Sequence, residues 1–244
     1  MPAVEQVKAV FERPEQYLHG SRHNICIRTE TVQSFVAGRQ IDRILDIGCG
    51  DGSISLPLLR TDNWLTLLDV SSAMINAATR SVPTNLRRNV QLVNSDFETA
   101  HFESRFDLIL CIGVLAHVES PEAVVRRIAT LLEENGSAIA QVTDSQHPVS
   151  QLTRSWGKVR TILVPSPYDV TSLSAKDVID MFSGAGCQLV DEYRYSTNLP
   201  GTARLLSDGA LYKLTRLLHG YHPLGRNARL GNECLLHFRR TSSN

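Results

Sequence analysis

The sequence predicts an α/β fold built on a mostly parallel, doubly wound sheet. Two observations predict it: short apolar runs that end in glycine or polar residues, and helix-like segments of about ten residues between them. Strands that alternate with helices in this way form successive βαβ units. The 244 residues suffice for one large core, and a composition of 42% apolar and 20% charged residues excludes a disordered chain or a coiled coil.

The predicted elements follow one another in a regular order. Residues 1–40 are predicted to be helical. Strands are predicted at residues 43–47, 64–68, 90–93, 106–112, 137–142, 188–195 and 234–238. Helices are predicted at residues 54–60, 71–80, 121–132, 175–183 and 203–218. Pro121 suits a first helical turn, and Asn135 with Gly136 suits the end of that helix.

Three segments lie outside the βαβ alternation. Residues 1–40 are predicted to form a helical N-terminal lid over a domain of residues 41–244. Insertions at about residues 144–173 and 197–231 are predicted to cap the substrate site, because long loops at strand ends commonly carry binding residues. The helix of the second insertion is predicted to carry an apolar face, made of Leu206, Ala210, Leu214 and Leu217.

The charge pattern bears on the class of partner. The formal net charge is zero, with 25 basic and 25 acidic residues, which argues against a protein whose main task is to grip nucleic acid. The charge is unevenly distributed, since residues 46–193 hold 11 basic and 18 acidic side chains, whereas residues 194–244 hold 8 and 2. The second insertion is therefore predicted to be basic.

The sequence also allows predictions about the cellular location of the protein and about metal binding. Its first residues lack the apolar core of a secretory signal, and no run approaches the roughly 18 apolar residues of a membrane span. The cysteines are odd in number and contain no CxxC pair, which favours reduced thiols over a disulfide framework or a zinc site. We therefore expect a cytoplasmic protein with no metal. The cysteines are Cys26, Cys49, Cys111, Cys187 and Cys234.

A glycine-rich loop follows the first predicted strand. Its sequence is Leu45-Asp46-Ile47-Gly48-Cys49-Gly50-Asp51-Gly52. Glycines at alternate positions let the backbone approach a ligand closely, and Asp69, at the end of the next strand, suits the two hydroxyls of a ribose. The loop departs from the dinucleotide fingerprint, because Ser53 replaces a small apolar residue and Asp46 would repel a pyrophosphate. Asp46 suits an ammonium group instead.

This D-x-G-x-G-x-G pattern resembles motif I of the class I S-adenosylmethionine-dependent methyltransferases. Further motifs of that family are matched in order by residues 68–71 with Met74, 94–97, 106–118 and 131–136, so that the resemblance covers roughly residues 40–195. It implies a seven-stranded sheet in the order 3-2-1-4-5-7-6, with strand 7 antiparallel. Residues 111–114 lack the Pro-Pro-aromatic signature of nucleic-acid amine methyltransferases and look like the small-molecule branch.

The resemblance implies S-adenosyl-L-methionine as cofactor and assigns residues to it. Asp46 would hold its ammonium group, Asp69 its ribose and Asp96 its adenine amino group, while Arg22 of the lid could pair with its carboxylate. Arg22 could equally be an exposed residue of a solvated helix. The cofactor-binding residues implied are Asp46, Gly48, Cys49, Gly50, Asp69, Val70, Met74, Ser95, Asp96, Phe97, Cys111 and Ile112, with Tyr17 and Arg22 from the lid.

Methyl transfer needs a positioned nucleophile and, for some acceptors, a general base. His117 and His147 are the candidates for that base, and the alternative for each is a structural hydrogen bond in its loop. Residues of the second insertion are candidates for substrate contact, and an anionic group would suit its arginines, although these charges could also form a solvated face. The substrate candidates are His219, Tyr221, His222, Arg226 and Arg229.

The function predicted is transfer of a methyl group to an oxygen or nitrogen atom of a small molecule, which is anionic if the basic insertion recognises it. Two alternatives remain open from the sequence. One is methylation of a protein or tRNA, and the other is a catalytically silent subunit that binds the cofactor. The sequence leaves the methylated atom and the oligomeric state undetermined.

Overall fold

The computed structural model describes residues 22–151, 171–196, 206–223 and 231–241. Helices in this part of the chain are α1 (Arg22–Phe35), α2 (Ser72–Ser81), α3 (Pro121–Leu131), α4 (Ala175–Gly184) and α5 (Asp208–His219). Strands are β1 (Arg43–Ile47), β2 (Trp64–Asp69), β3 (Val90–Asn94), β4 (Phe106–Cys111), β5 (Leu132–Thr143), β6 (Cys187–Tyr195) and β7 (Glu233–Arg240).

The strands form one seven-stranded sheet in the order β3-β2-β1-β4-β5-β7-β6. The first five strands of that order pair in parallel, and β7 is antiparallel to both β5 and β6. The predicted order and the antiparallel seventh strand are confirmed. The strand order reverses between β1 and β4, and ligands of such sheets bind beyond the carboxyl ends of the strands at that point. We call that side of the sheet the carboxyl edge.

Each face of the sheet is covered by a different pair of helices. One core cluster joins Leu45 and Ile109 to α3 and α4, and the other joins Ile44 and Leu108 to α1 and α2. Side chains alternate between the faces along a strand. Asp46, which neighbours Leu45, therefore lies on the face covered by α1 and α2, which we call the α1 face.

Serine residues begin four of the helices. In each case the side-chain oxygen accepts a hydrogen bond from a backbone N–H of the first turn that would otherwise lack a partner. The caps are Ser71 for α2, Ser120 for α3, Ser174 for α4 and Ser207 for α5. These local signals explain why α2, α3 and α4 begin within one residue of their predicted starts, whereas α5 begins five residues after its predicted start.

Two predicted elements that precede the insertions in the sequence differ from the structure. The helix expected at residues 54–60 is only the short 3-10 turn Leu56–Leu58, where Pro57 removes one backbone donor. Strand β5 begins at Leu132, five residues before the predicted start. Asn135 and Gly136 do not end the helix but lie in an irregularity of β5, where its register with β4 shifts and Asn135 has a φ of 61°.

The buried face of the helix in the second insertion was also predicted wrongly. Helix α5 begins at Asp208, and it buries Leu211, Thr215, Arg216 and His219, while Leu217 is 73% exposed. The reason is a polar interface with α1. The guanidinium of Arg216 bonds to the carboxylate of Glu30, and it lies against the rings of Tyr193, Tyr212 and Tyr221.

We expect Glu30→Ala to destabilise the protein by about 1–3 kcal/mol, because it leaves the buried Arg216 guanidinium without its carboxylate. The expected loss in the free energy of unfolding is smaller than for a fully buried pair, because the Glu30 side chain is 41% exposed and its charge is partly screened by solvent. Denaturant unfolding measures the effect. The control is Glu122→Ala, which breaks an exposed pair with Arg126 and should cost less than about 0.5 kcal/mol. Equal losses in the two variants would contradict the assignment.

The predicted lid and insertions are described only in part. Residues 1–21, 152–170, 197–205 and 224–230 lie outside the described residues, so the division into lid, domain and caps stays a prediction. The described part of the lid is α1, which packs on the sheet and against α5. Among the described helices, none combines the length and apolar character needed to cross a membrane.

Candidate functional site

The glycine loop leaves β1 at the carboxyl edge with three glycines in left-handed conformations. Gly48, Gly50 and Gly52 have φ values of 65°, 56° and 78°. A Cβ added to Gly48 would lie 2.5 Å from Cγ2 of Val114, whereas one added to Gly50 would meet no atom within 4 Å. Gly48 is therefore required by packing against the segment after β4. At Gly50 the backbone is open to a ligand.

Asp69 ties the end of β2 to this loop. Its Oδ2 accepts a hydrogen bond from the Gly50 N–H at 3.0 Å, and its Oδ1 accepts one from the Ser71 N–H at 2.8 Å. Burial raises the pKa of the Asp69 carboxyl, while these two hydrogen bonds act in the opposite direction. The carboxylate is thus fixed beside the open glycine, where further hydroxyl donors can reach its remaining lone pairs.

Asp46 is the buried acid of the site. Its side chain accepts a hydrogen bond from the Ser55 hydroxyl at 2.5 Å, and the residue is only 3% exposed. The pKa of Asp46 is raised to about 7, chiefly by burial and also by the charges of Asp69 and Asp51, although the hydrogen bond from Ser55 lowers it. A cationic group bound nearby would offset both the desolvation and the repulsion.

The remaining predicted cofactor residues lie around the ends of β2, β3 and β4. Met74 is buried and Val70 half-buried at the start of α2, and Asp96 accepts a hydrogen bond from the Glu98 N–H in the turn after β3. Phe97 packs into the core. Arg22, the first residue of α1, is exposed, and Tyr17 lies outside the described residues. The others, at the same edge, are Ser95, Cys111 and Ile112.

The two cysteines of the site are protonated thiols. Burial raises the pKa of Cys49, which lies in the glycine loop, and raises that of Cys111 to about 12. A thiol in this state is a weak nucleophile, because the thiolate is the reactive form. Neither cysteine is therefore a nucleophile at neutral pH.

The two candidate bases follow neighbouring strands. His117 ends the 3-10 turn Leu115–His117 after β4, and burial lowers its pKa, so its ring is neutral at pH 7. His147 follows β5, and its Nδ1 accepts a hydrogen bond from the Val149 N–H at 3.2 Å. That bond is the structural role considered from the sequence. His117 has the closer link to the glycine loop, because Val114 of the same segment packs on Gly48.

A polar cluster that the sequence did not reveal lies at the carboxyl edge between β5 and β7. Glu233 accepts hydrogen bonds from Gln141 Nε2 at 2.6 Å and from Thr143 Oγ1 at 2.8 Å. Arg28 of α1 donates from Nε to the Tyr195 hydroxyl at 3.2 Å, and its NH2 lies 3.6 Å from Glu233 Oε2. A glutamate directly before the apolar residues Cys234, Leu235 and Leu236 was the available signal.

The predicted substrate residues are only partly brought to this edge. His222 bonds to Ser34 and to Asp191, and Asp191 is four residues from the end of β6, about 13 Å along the strand. His219 is buried, and its Nε2 accepts a hydrogen bond from the Ser196 N–H just after β6.

The other predicted substrate residues add little to the site as described. Tyr221 is half-exposed with its ring 4.4 Å from the Arg216 guanidinium, and Arg226 and Arg229 lie outside the described residues. Substrate contact by these side chains stays a prediction. Within the described ranges, no three His, Cys, Asp or Glu side chains form a group suited to a metal ion.

Solved structures share this fold over nearly the whole chain. A methyltransferase of Thermotoga maritima, described as a possible histamine N-methyltransferase, superposes with a TM-score of 0.65 at 16% identity, over 96% of this chain and 99% of that one. The magnesium protoporphyrin IX methyltransferase of Synechocystis PCC 6803, solved with bound S-adenosylhomocysteine, gives a TM-score of 0.61 at 16% identity, over 91% and 84%. At such identities the likeness concerns the fold alone.

Sequence comparison also finds methyltransferases that are similar to part of the chain. A ubiquinone biosynthesis O-methyltransferase of Xanthomonas campestris pv. campestris (strain B100) is 28% identical over 96 residues, which are 39% of this chain and 40% of that relative. The chain thus spans less than half of the length of that relative. The family described as "Methyltransferase domain" matches residues 45–138, a range that begins within β1 and ends within β5. Over those residues the chain is similar to that family, and the sheet order and the glycine-loop geometry agree with the likeness.

Proposed function

We propose that the protein transfers a methyl group from S-adenosylmethionine to a hydroxyl oxygen of a small molecule. The observation that carries the proposal is the neutral His117 in the segment after β4, which packs through Val114 onto Gly48 of the glycine loop. A base at that place suits an acceptor that must lose a proton when it is methylated. The O-methyltransferase names of the curated relatives favour oxygen over nitrogen.

The site accommodates the cofactor with its own residues. Asp46 would hold the ammonium group, Asp69 the ribose hydroxyls and Asp96 the adenine amino group, and the proposal is supported at Gly50 by the absence of any protein atom within 4 Å of a Cβ built there. When bound, the cofactor supplies a methyl group on a positively charged sulfur. The fit is supported by the left-handed glycines and by the buried carboxylate of Asp46, which lacks a cation among its described contacts.

In this proposal His117 accepts the proton of the acceptor hydroxyl. Its lowered pKa keeps the ring deprotonated at neutral pH, so it needs no further activation. Val114 and Leu115, in the same segment, exclude water from the side of the glycine loop. His147 remains the second candidate base. An anionic acceptor remains the proposal for the basic insertion, with Arg226 and Arg229 as its recognition residues.

We expect His117→Gln to lower turnover by about 10²–10³-fold while S-adenosylhomocysteine affinity changes less than threefold, since the residue acts on the acceptor. The assay is transfer of radiolabelled methyl groups into the small-molecule fraction of a cell extract. With S-adenosylmethionine saturating at every pH, so that the charge of Asp46 does not limit binding, the rate of the native protein should fall at acidic pH, where His117 becomes protonated, and the variant should lose that limb.

Two further variants make this test specific. His101→Gln changes an exposed histidine and should leave the rate unchanged. If His147→Gln loses the activity and His117→Gln keeps it, His147 is the base. Label in the protein or RNA fraction would establish the macromolecular alternative, and cofactor binding without any transfer would establish a silent subunit.

A further inference from the structure

We propose that Arg127 of helix α3 is a positioning residue for adenine recognition. It holds the turn after β3 and thereby places the carboxylate of Asp96, which reads the amino group of the adenine ring. The role rests on the proposed function, because it concerns the cofactor, and it adds a determinant of nucleobase specificity that lies outside the glycine loop.

The turn that carries Asp96 follows β3 at the carboxyl edge, and Asp96 itself closes its start. Its Oδ1 accepts a hydrogen bond from the Glu98 N–H at 3.0 Å, and its backbone carbonyl accepts from the N–H groups of Thr99 and Ala100 at 3.2 and 2.9 Å. The second carboxylate oxygen, Oδ2, accepts no hydrogen bond from any residue that the structure describes. Because Asp96 is only half-buried, this oxygen is left for a donor from outside the protein.

Arg127 closes the other end of the same turn. Its NH1 donates to the carbonyl oxygen of Glu98, and its NH2 donates to that of Ala100. The two donors belong to one planar guanidinium, and hydrogen bonds from a charged donor are about twice as strong as those between neutral groups. The turn is therefore held at both ends, by Asp96 at its start and by a residue of α3 at its end.

The guanidinium of Arg127 also lies over the ring of Phe97, the residue next to Asp96. Its Cζ is 5.0 Å from the centroid of that ring and 6.0 Å from the centroid of Phe102, within the range of a cation–π contact. Phe97 is only 5% exposed and belongs to the core cluster that packs α3 on the sheet. Removal of the guanidinium would therefore loosen both the backbone of the turn and the residue adjacent to Asp96.

The neighbouring Arg126 shows that this arrangement is particular to Arg127. The Arg126 side chain is 71% exposed and pairs with Glu122 one turn earlier in the same helix. Arg127 is half-buried and bonds to a different part of the chain. A lysine would serve poorly in its place, because an ammonium group is a point charge without the flat, forked donors of a guanidinium.

A carboxylate at the position of Asp96 distinguishes adenine from hypoxanthine. The adenine amino group donates a hydrogen bond to the carboxylate, whereas hypoxanthine presents a carbonyl oxygen at the same place, which a carboxylate repels. The strength of such a bond depends steeply on distance and angle. Loosening of the turn should therefore lower the preference for adenine, while the contacts of Asp69 with the ribose remain.

The test compares the binding of S-adenosylhomocysteine and of its deaminated analogue, S-inosylhomocysteine, to the full chain by calorimetry. We expect the native protein to prefer the adenine compound about 30-fold, the size of effect produced by one hydrogen bond to a charged group. Arg127→Met should lower this preference to below about fivefold, and Arg127→Lys should lower it less. The control Arg126→Met should keep the native preference. In an Asp96→Asn background, Arg127→Met should change the preference no further.

The possible outcomes distinguish failure of this role from failure of the proposed function. A native protein that binds neither compound overturns the proposed function, and the role of Arg127 with it. The role alone is overturned if S-adenosylhomocysteine binds the native protein but the analogue binds equally well, if Arg127→Met keeps the native preference, or if its effect persists in Asp96→Asn. Thermal unfolding accompanies every variant, since mere destabilisation would weaken both compounds equally and leave their ratio unchanged. Should Arg127→Met not fold, a native preference in Arg127→Lys overturns the role in the same way.

Discussion

Alanine at Gly48 is expected to destabilise the protein by about 2–4 kcal/mol. The backbone there has a φ of 65°, which costs an L-residue about 1 kcal/mol, and the added methyl group would lie 2.5 Å from Cγ2 of Val114. Since real atoms do not approach so closely, either the loop or the segment after β4 must move. Overpacking of this kind typically costs 1–3 kcal/mol more.

Alanine at Gly50 is expected to behave differently although the two glycines are only two residues apart. Its φ of 56° carries the same backbone cost, but the added methyl group meets no protein atom within 4 Å. We expect a stability loss of about 1 kcal/mol and a loss of S-adenosylhomocysteine affinity of roughly 100-fold, because the methyl group fills space that the cofactor needs.

Denaturant unfolding and calorimetry on the two variants separate these effects. Adding Val114→Ala to Gly48→Ala should restore about half of the lost stability, since it removes the atom that the new methyl group meets. Native-like cofactor affinity in Gly50→Ala would show that the cofactor does not lie against this part of the loop.

Cofactor affinity is expected to rise about tenfold between pH 6 and pH 8. The physical reason is the Asp46 pKa of about 7: below it the carboxyl is protonated and cannot pair with an ammonium group, and above it the charge is available. Calorimetric titration with S-adenosylhomocysteine at a series of pH values measures this. In Asp46→Asn the affinity for S-adenosylhomocysteine should no longer change with pH, and at pH 8 it should be roughly 10–100-fold lower than in the native protein.

The raised pKa of Asp46 has the opposite effect on folding stability, which should fall as the pH rises. A carboxyl whose pKa is raised on folding contributes stability that is present below pH 4 and is lost as the pH rises through 7. Asp46→Asn should therefore stabilise the cofactor-free protein at pH 8, by up to about 4 kcal/mol, while Ser55 still donates to the amide oxygen. The exposed Asp62→Asn serves as control. No gain at pH 8 would contradict the buried, charged state.

Local sequence signals were sufficient where neighbouring residues carry them. The glycine loop and the apolar strands depend on φ and on burial, and both were readable along the chain. The signal at Asn135 and Gly136 was ambiguous, because a left-handed residue ends a helix and also forms an irregularity in a strand. Only the pairing of β5 with β4 decides between the two.

Contacts between distant residues decided the rest. The leucines of α5 suggested an apolar face, but Glu30, 186 residues before Arg216, provides a partner that makes a charged side chain the buried one. Arg28 and Glu233 are likewise joined only when α1 packs against β7. The sequence by itself determined the fold class, the glycine loop and the acids beside it, because their physics is local. The tertiary structure alone decided which polar residues meet at the carboxyl edge, because that depends on elements brought together from opposite ends of the chain.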